Sequence, residues 1–146
     1  MLTAGDEIRS LLGAYCRLVD AGDFDGVGAL MARAVLCTED GTPVARGADE
    51  VARLYAATTL RHEDGTPGTQ HVVAGTELAV AGERITARSS YVVLQALPAL
   101  PLQPVVTGSY RDTFARDDAG WHFVERRFGV GRTGDLSHHL APGVLA

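Results

Sequence analysis

Two side chains of the sequence, Asp20 and His71, have chemistry suited to proton transfer. A carboxylate that holds one imidazole nitrogen protonated fixes the tautomer, and the other nitrogen can then take or give a proton near neutral pH. Each residue also has a structural interpretation, because Asp20 could be a solvated helix end and His71 a hydrogen-bonded strand residue. The two residue types therefore allow acid–base chemistry, but their spacing in the sequence does not show that they lie close together in the fold.

Tyrosines and arginines could supply the groups that hold a ligand. Tyr15 falls on the apolar stripe of a predicted helix, so packing explains it as well as a hydroxyl directed into a pocket. Tyr91 and Tyr110 fall in the middle of predicted strands, where they could hydrogen-bond a ligand or pack beneath helices. Successive strand residues point to opposite faces, so one of Arg126 and Arg127 can face inward and bind an oxyanion. We favour Arg127 for this role.

Patterns for metal, nucleotide or covalent chemistry are absent from the sequence. None of the five histidines has a His-x-Glu-x-x-His or Cys-x-x-Cys companion, and Gly129-Val130-Gly131 lacks the third glycine of a dinucleotide loop. No Gly-x-Ser-x-Gly nucleophile elbow is present. We therefore expect no cofactor and no metal, and we expect His138 and His139 to lie on the surface.

Length and charge exclude several classes of protein. The 146 residues suffice for one sizeable domain and are too few for two ordinary ones. The formal net charge is −5 and no basic run exceeds Arg126-Arg127, so nucleic acid is not an expected partner. No window approaches the roughly 20 apolar residues of a bilayer span, and the N-terminus lacks the features of an export signal. We expect a soluble cytoplasmic protein that does not bind membranes.

The first part of the chain is predicted to be mostly helical. Apolar residues recur at steps of three and four from Ile8 to Val19, which predicts a helix over about residues 4–20. Asp23 lies between two glycines and is expected to cap a short second helix. A third helix is predicted to begin near Gly47, after a hairpin that turns at Asp40-Gly41.

The second part is predicted to be an antiparallel meander. Tight turns join its strands, except where Pro98, Pro101 and Pro104 predict a wider connection, since proline cannot donate to a strand ladder. The predicted strands cover about residues 70–80, 84–96, 104–116 and 120–130.

This order of elements predicts an α+β fold. The N-terminal helices should pack on the concave face of a strongly curved, mainly antiparallel sheet, which leaves a cone with an apolar hollow. Residues 1–134 are expected to form a single domain and residues 135–146 an irregular C-terminal tail.

Six short groups of residues are ordered along the chain as in a known family: Tyr15 with Asp20–Asp25, Gly47 with Asp49–Val51, His71–Val73, Gly108–Asp112, Gly120–Phe123 and Arg126-Arg127. They resemble the SnoaL-like branch of the nuclear transport factor 2 (NTF2-like) superfamily. The order and spacing of these segments, over roughly residues 5–130, carry more weight than any one of them. The resemblance implies a cone-shaped α+β barrel, commonly a homodimer and in some relatives a trimer, that binds a hydrophobic small molecule.

A more local resemblance concerns the candidate acid–base residues. Thr69-Gln70-His71 resembles the segment that carries a catalytic histidine in scytalone dehydratase, and Asp20 falls where that enzyme and many relatives place the acid that orients it. This implies a cofactor-independent enzyme that cyclises, isomerises or dehydrates a polyketide-like or aromatic molecule by proton transfer. The same enzyme needs a second histidine on the next strand, and the residues around Leu94 and Gln95 supply none.

Two other functions stay open at this stage. A non-catalytic binding or assembly module of the same fold would account for the missing second histidine. Alternatively, Asp20 and an arginine could activate water, as in an epoxide hydrolase. That chemistry needs a second inward carboxylate, and we expect the candidates, Glu77 and Asp112, on the solvent side or at strand ends.

Overall fold

The computed structural model describes residues 1–145, so Ala146, the last residue of the predicted tail, lies outside the described residues. The described chain forms three helices and six strands. In chain order the elements are α1 (Ala4–Asp20), α2 (Phe24–Leu30), β1 (Val35–Thr38), β2 (Pro43–Arg46), α3 (Gly47–Thr58), β3 (Thr69–Ala81), β4 (Arg84–Leu97), β5 (Leu100–Asp117) and β6 (Gly120–Thr133).

Local signals set the bounds of the first two helices. Thr3 forms a capping box with Asp6, which satisfies free amides at the start of α1. The helix ends before Gly22, which has a φ of +72° that favours glycine. The Asp23 side chain then accepts a hydrogen bond from the Gly26 amide and caps α2, as predicted. The buried face of α1 consists of Ile8, Leu12, Tyr15 and Val19.

All six strands belong to one sheet in the order β2-β1-β6-β5-β4-β3. Every neighbouring pair is antiparallel except β1 and β6, which are parallel. Register shifts interrupt the ladders of β3, β4 and β5 and increase the bend of the sheet. The helices pack on its concave face, so the predicted α+β cone is confirmed.

The connection between β4 and β5 is tighter than the prolines predict. Leu97 pairs with Leu100, and Pro104 pairs with Leu94, so Pro101 and Pro104 lie inside β5 and the predicted wide connection is wrong. The reason is that β6 pairs with β5 only from Val106 onward. This first part of β5 therefore pairs with β4 but not with β6. Proline, which has no amide donor, is tolerated in such a strand when it faces the unpaired side.

A buried ion pair joins the two strands at the centre of the sheet. Arg126 on β6 and Asp112 on β5 are cross-strand partners, and their side chains are 1% and 0% exposed. The guanidinium donates Nε–H to Oδ1 over 2.7 Å and Nη2–H to Oδ2 over 2.9 Å. The expectation that Asp112 lies on the solvent side or at a strand end is therefore wrong.

The segment after β6 contains no helix or strand up to residue 145, but it is held against the body of the protein. Thr59 and Leu140 form an isolated antiparallel bridge. The Leu60 amide donates to the His139 carbonyl, and the Ala141 amide donates to the Thr58 carbonyl, both over 2.9 Å. This tail therefore covers the C-terminal end of α3.

In the part of the chain that the structure describes, each helix is too short or too polar to cross a bilayer.

Replacing Asp112 with Ala is expected to lower the free energy of unfolding by about 3–5 kcal/mol, because it leaves the buried Arg126 charge without its partner. The matched control is Glu125→Ala, which breaks the half-exposed pair of Glu125 with Arg127 on β6 and should cost less than about 1 kcal/mol. Urea unfolding of both variants measures the difference. Equal losses would contradict the importance of the buried pair.

Candidate active site

A cavity of about 480 Å³ lies between the concave face of the sheet, the helices and the tail. This volume is typical of small-molecule sites. Its polar lining comes from His71, His139, Arg126 and several tyrosines. Its apolar walls include Val19, Leu36, Leu54, Val93, Val106 and Phe128.

His71 and Asp20, the two residues that sequence reasoning singled out, are hydrogen-bonded to each other. His71 Nδ1 lies 2.6 Å from Asp20 Oδ1. The same carboxylate accepts the His71 amide over 2.8 Å and the Thr69 hydroxyl over 2.9 Å. A carboxylate at the C-terminal end of a helix meets an unfavourable dipole, and these three donors offset it. Asp20 therefore holds the start of β3 against the end of α1.

The hydrogen bond also determines what His71 can do. A carboxylate only accepts hydrogen bonds, so the proton between the two side chains belongs on Nδ1 of the imidazole. The neutral ring then has an unprotonated Nε2 on its other edge, and no described residue hydrogen-bonds to that atom. Because His71 lines the cavity, this geometry suits a general base.

Arg126, and not Arg127, faces the cavity. The Arg126 guanidinium lies 4.2 Å from the ring centre of Tyr15 and 3.7 Å from that of Tyr110. Burial opposes its charge, but the Asp112 carboxylate outweighs burial and holds the pKa of the guanidinium above its usual range. Its Nη1 atom is buried and has no hydrogen-bond partner among the described residues.

The preference for Arg127 is therefore wrong. Arg127 is 36% exposed and its Nε–H donates to Glu125 on the outside of the sheet. Because side chains alternate along a strand, Arg126 and Arg127 must point to opposite faces of the sheet. Only the register between β5 and β6 decides which of them points inward.

Four tyrosines line the cavity together with Arg126 and His71. The hydroxyls of Tyr15 and Tyr55 lie 2.5 Å apart, and the Tyr15 ring meets His71 edge-on at 6.2 Å. Burial raises the pKa of Tyr15, Tyr55 and Tyr110 well above 10, so these phenols stay neutral and can donate hydrogen bonds. Tyr91 stacks on Tyr110, and its hydroxyl is already engaged with the Gly129 carbonyl.

Tyr55 was not named as a candidate, although its position beside Val51 and Leu54 on the inward side of α3 was a usable signal.

The tail brings a second histidine to the cavity. His139 is only 6% exposed, so the prediction that it lies on the surface is wrong, whereas His138 is exposed as expected. The ring centres of His139 and His71 are 6.3 Å apart. Burial, together with the nearby His71, lowers the pKa of His139 to about 4. No pattern in the sequence indicates this placement, which depends on contacts between distant segments.

Asp20 lies not in the cavity but in a separate surface groove. An open groove of about 810 Å³ runs between α1 and β3 and is lined by charged side chains such as Arg9 and Arg17. His71 lines both spaces, whereas Asp20 lines only the groove, so the carboxylate contacts the ring from the groove side. The cavity is the stronger candidate because imidazole, guanidinium and phenol groups converge in it. Within residues 1–145, no group of three or more His, Cys, Asp or Glu side chains is placed to hold a metal ion.

Fold and cavity together define a cone-shaped α+β protein with a ligand-sized interior. A family model described as the SnoaL-like domain matches residues 1–127. The chain therefore belongs to the SnoaL-like family, within the NTF2-like superfamily, as the resemblance predicted. No curated protein sequence matches it.

Solved structures support the same fold. An NTF2-like protein with a cystatin-like fold from Novosphingobium aromaticivorans is 24% identical, with a TM-score of 0.70 over 87% of this chain and 81% of that chain. A candidate scytalone dehydratase from the same organism is 20% identical, with a TM-score of 0.67 over 88% and 84% of the two chains. ActVI-ORFA from Streptomyces coelicolor is 19% identical, with a TM-score of 0.68 over 85% and 94%.

The lowered pKa of His139 predicts a pH dependence of stability. The unfolded chain binds a proton at this ring near pH 6.5, whereas the folded chain binds it only near pH 4, so stability is lost as the pH falls through this window. His71, Asp20 and His62 are the titratable groups that act on the ring.

The variant His139→Gln removes the titration and should lose less free energy of unfolding than the wild type between pH 7 and pH 4.5. Urea unfolding at the two pH values measures this difference. Identical losses would show that the ring is not buried in the folded protein.

Proposed function

We propose that the protein is a cofactor-independent enzyme that transfers a proton within a hydrophobic ketone bound in the cavity. The observation that carries this proposal is the 2.6 Å hydrogen bond between Asp20 Oδ1 and His71 Nδ1, which engages Nδ1 and leaves Nε2 as the free nitrogen of a residue that lines an apolar cavity. Cyclisation, isomerisation and dehydration of polyketide-like or aromatic ketones all begin with such a proton transfer.

In the dehydration of a β-hydroxy ketone, His71 Nε2 takes a proton from the carbon between the two oxygen-bearing carbons. The electrons of the broken C–H bond form the C=C bond of an enolate, and the charge moves to the carbonyl oxygen. The enolate then reforms the carbonyl as the C–O bond to the hydroxyl breaks. The leaving oxygen takes the proton from His71 and departs as water, which returns the imidazole to its neutral form.

The developing oxyanion needs hydrogen-bond donors and positive charge. Arg126 lines the cavity with an unpaired Nη1, its guanidinium carbon lies 4.2 Å from the Tyr15 ring centre, and the neutral phenols of Tyr15 and Tyr55 contact each other. A fixed charge in a region with little water stabilises a transition state more strongly than in bulk solvent. We therefore propose Arg126, and not Arg127, as the arginine that binds the oxyanion.

Proton abstraction is tested with 1-tetralone in D2O, where exchange of the C2 proton is followed by NMR. Dehydration is tested with 3-hydroxy-1-tetralone, which loses water and tautomerises to fluorescent 1-naphthol. We expect the wild type to accelerate at least one reaction and His71→Ala to lower kcat/KM by about 100- to 10 000-fold, as the loss of a general base does. Asp20→Asn should lower it in the same direction, because the ring loses its orientation.

The matched control is His122→Ala, a histidine outside the cavity that should leave both rates unchanged. Circular dichroism confirms that each variant is folded. A wild type that binds 1-naphthol tightly but catalyses neither reaction would overturn the proposal and favour the binding module. A His71→Ala variant with undiminished turnover would also overturn it.

We further propose a cytoplasmic protein that forms a homodimer, with a trimer as the alternative. Its single SnoaL-like domain covers residues 1–134, and the tail is an additional wall of the cavity. The support for the tail is its lining contacts through His139, Leu140 and Val144.

A further inference from the structure

The tail holds His139 through backbone contacts on both sides of the residue. The His139 carbonyl accepts the Leu60 amide, and the next residue pairs with Thr59. On the other side, the His138 carbonyl accepts hydrogen bonds from Gln95 Nε2 over 2.9 Å and from His62 Nε2 over 2.8 Å. The ring of His139 is therefore placed by fixed neighbours.

Gln95 is notable because it is a polar side chain on β4 with no exposure to solvent. Its amide donates to the Pro67 carbonyl and to the His138 carbonyl, so it ties the loop before β3 to the tail. Burying an amide is unfavourable unless it is hydrogen-bonded. Here the buried amide of Gln95 fixes the backbone of the tail at His138. It thereby also fixes the position of the next residue, His139.

The His139 ring itself has unused hydrogen-bonding capacity in the cavity. Its Nδ1 is buried and has no partner among the described residues, although buried polar atoms are hydrogen-bonded in the great majority of cases. Of the five buried unpartnered side-chain atoms among these residues, only this one and Arg126 Nη1 belong to residues that line the cavity. Each of these two lining residues therefore has a side-chain nitrogen that the protein itself leaves without a partner.

The spacing of the two imidazoles fits one oxygen atom between them. An oxygen that hydrogen-bonds to both rings lies about 2.8–3.0 Å from a nitrogen of each. Ring centres 6.3 Å apart, at an interplanar angle of 67°, are compatible with such a bridge. The lowered pKa keeps His139 neutral, so it acts as a hydrogen-bonding group and not as a second positive charge.

We propose that His139 is a second ligand-binding imidazole, delivered by the C-terminal tail, which holds the substrate oxygen on which His71 acts. The proposal rests on the proposed function of His71. In the dehydration, His139 orients the leaving hydroxyl so that its oxygen can accept the proton from His71, and His139 itself neither gains nor loses a proton overall. The family match ends at residue 127, so the residue lies outside the part of the chain that defines the family.

The kinetic test uses three variants of neighbouring tail residues. His139→Phe keeps a ring of similar size but removes both nitrogens, and we expect kcat for 3-hydroxy-1-tetralone to fall at least about tenfold. His139→Gln restores a hydrogen-bonding group and should recover part of the loss. His138→Phe, the exposed neighbour, is the matched control and should retain the wild-type kcat and KM. Wild-type kcat in His139→Phe would overturn the proposal.

A binding test separates this proposal from the proposed function. The protein is labelled with 15N-histidine and titrated with 1-naphthol, and the ring resonances of His139 and His71 should shift while those of His122 should not. His139→Phe should bind 1-naphthol more weakly than His138→Phe. If the wild type is inactive toward both ketones, the proposed function fails while these shifts uphold the contact of His139 with the ligand. Saturation without a change at His139 would overturn it.

Discussion

The interior of this protein depends on the buried guanidinium of Arg126. A charge inside a small domain is strongly unfavourable unless it is paired, and here Asp112 pairs two of its nitrogens while Tyr15 and Tyr110 cover its faces. Replacing such a pair with well-packed apolar residues is often neutral or stabilising. The concave face nevertheless keeps a charge with one unpaired nitrogen, on a residue that lines the cavity. The arrangement is better suited to binding than to packing.

The other polar groups of the cavity reach it from two ends of the chain. Asp20 orients His71 from the end of α1, and the tail carries His139 to the same space. The two imidazoles differ in their surroundings, since His71 has a carboxylate partner and the ring of His139 has none within 1–145. A pair of like groups in unlike environments can perform different tasks, one as base and the other as hydrogen-bonding group.

Local signals in the sequence were sufficient for the framework. The capping residues and the apolar period of α1 are encoded within a few residues, and the resemblance indicated the pairing of Asp20 with His71 that the structure contains. The errors concern what only long-range pairing decides. Consecutive strand residues always diverge, but the register between β5 and β6 determines that Arg126 points inward. Likewise, the tail that carries His139 is held by Gln95, more than forty positions earlier in the chain. No periodic pattern in the sequence indicates such a contact.

The engagement of the carboxylates argues against water activation as in an epoxide hydrolase. Asp20 accepts three hydrogen bonds from Thr69 and His71, and both oxygens of Asp112 are bound by Arg126. Neither residue lines the cavity, so neither carboxylate is placed to polarise a water molecule inside it. What the cavity does offer is two imidazoles, one of them oriented by a carboxylate, and a guanidinium with an unpaired nitrogen. A base beside a fixed positive charge matches the demands of enolate formation, in which a proton leaves carbon while negative charge develops on oxygen.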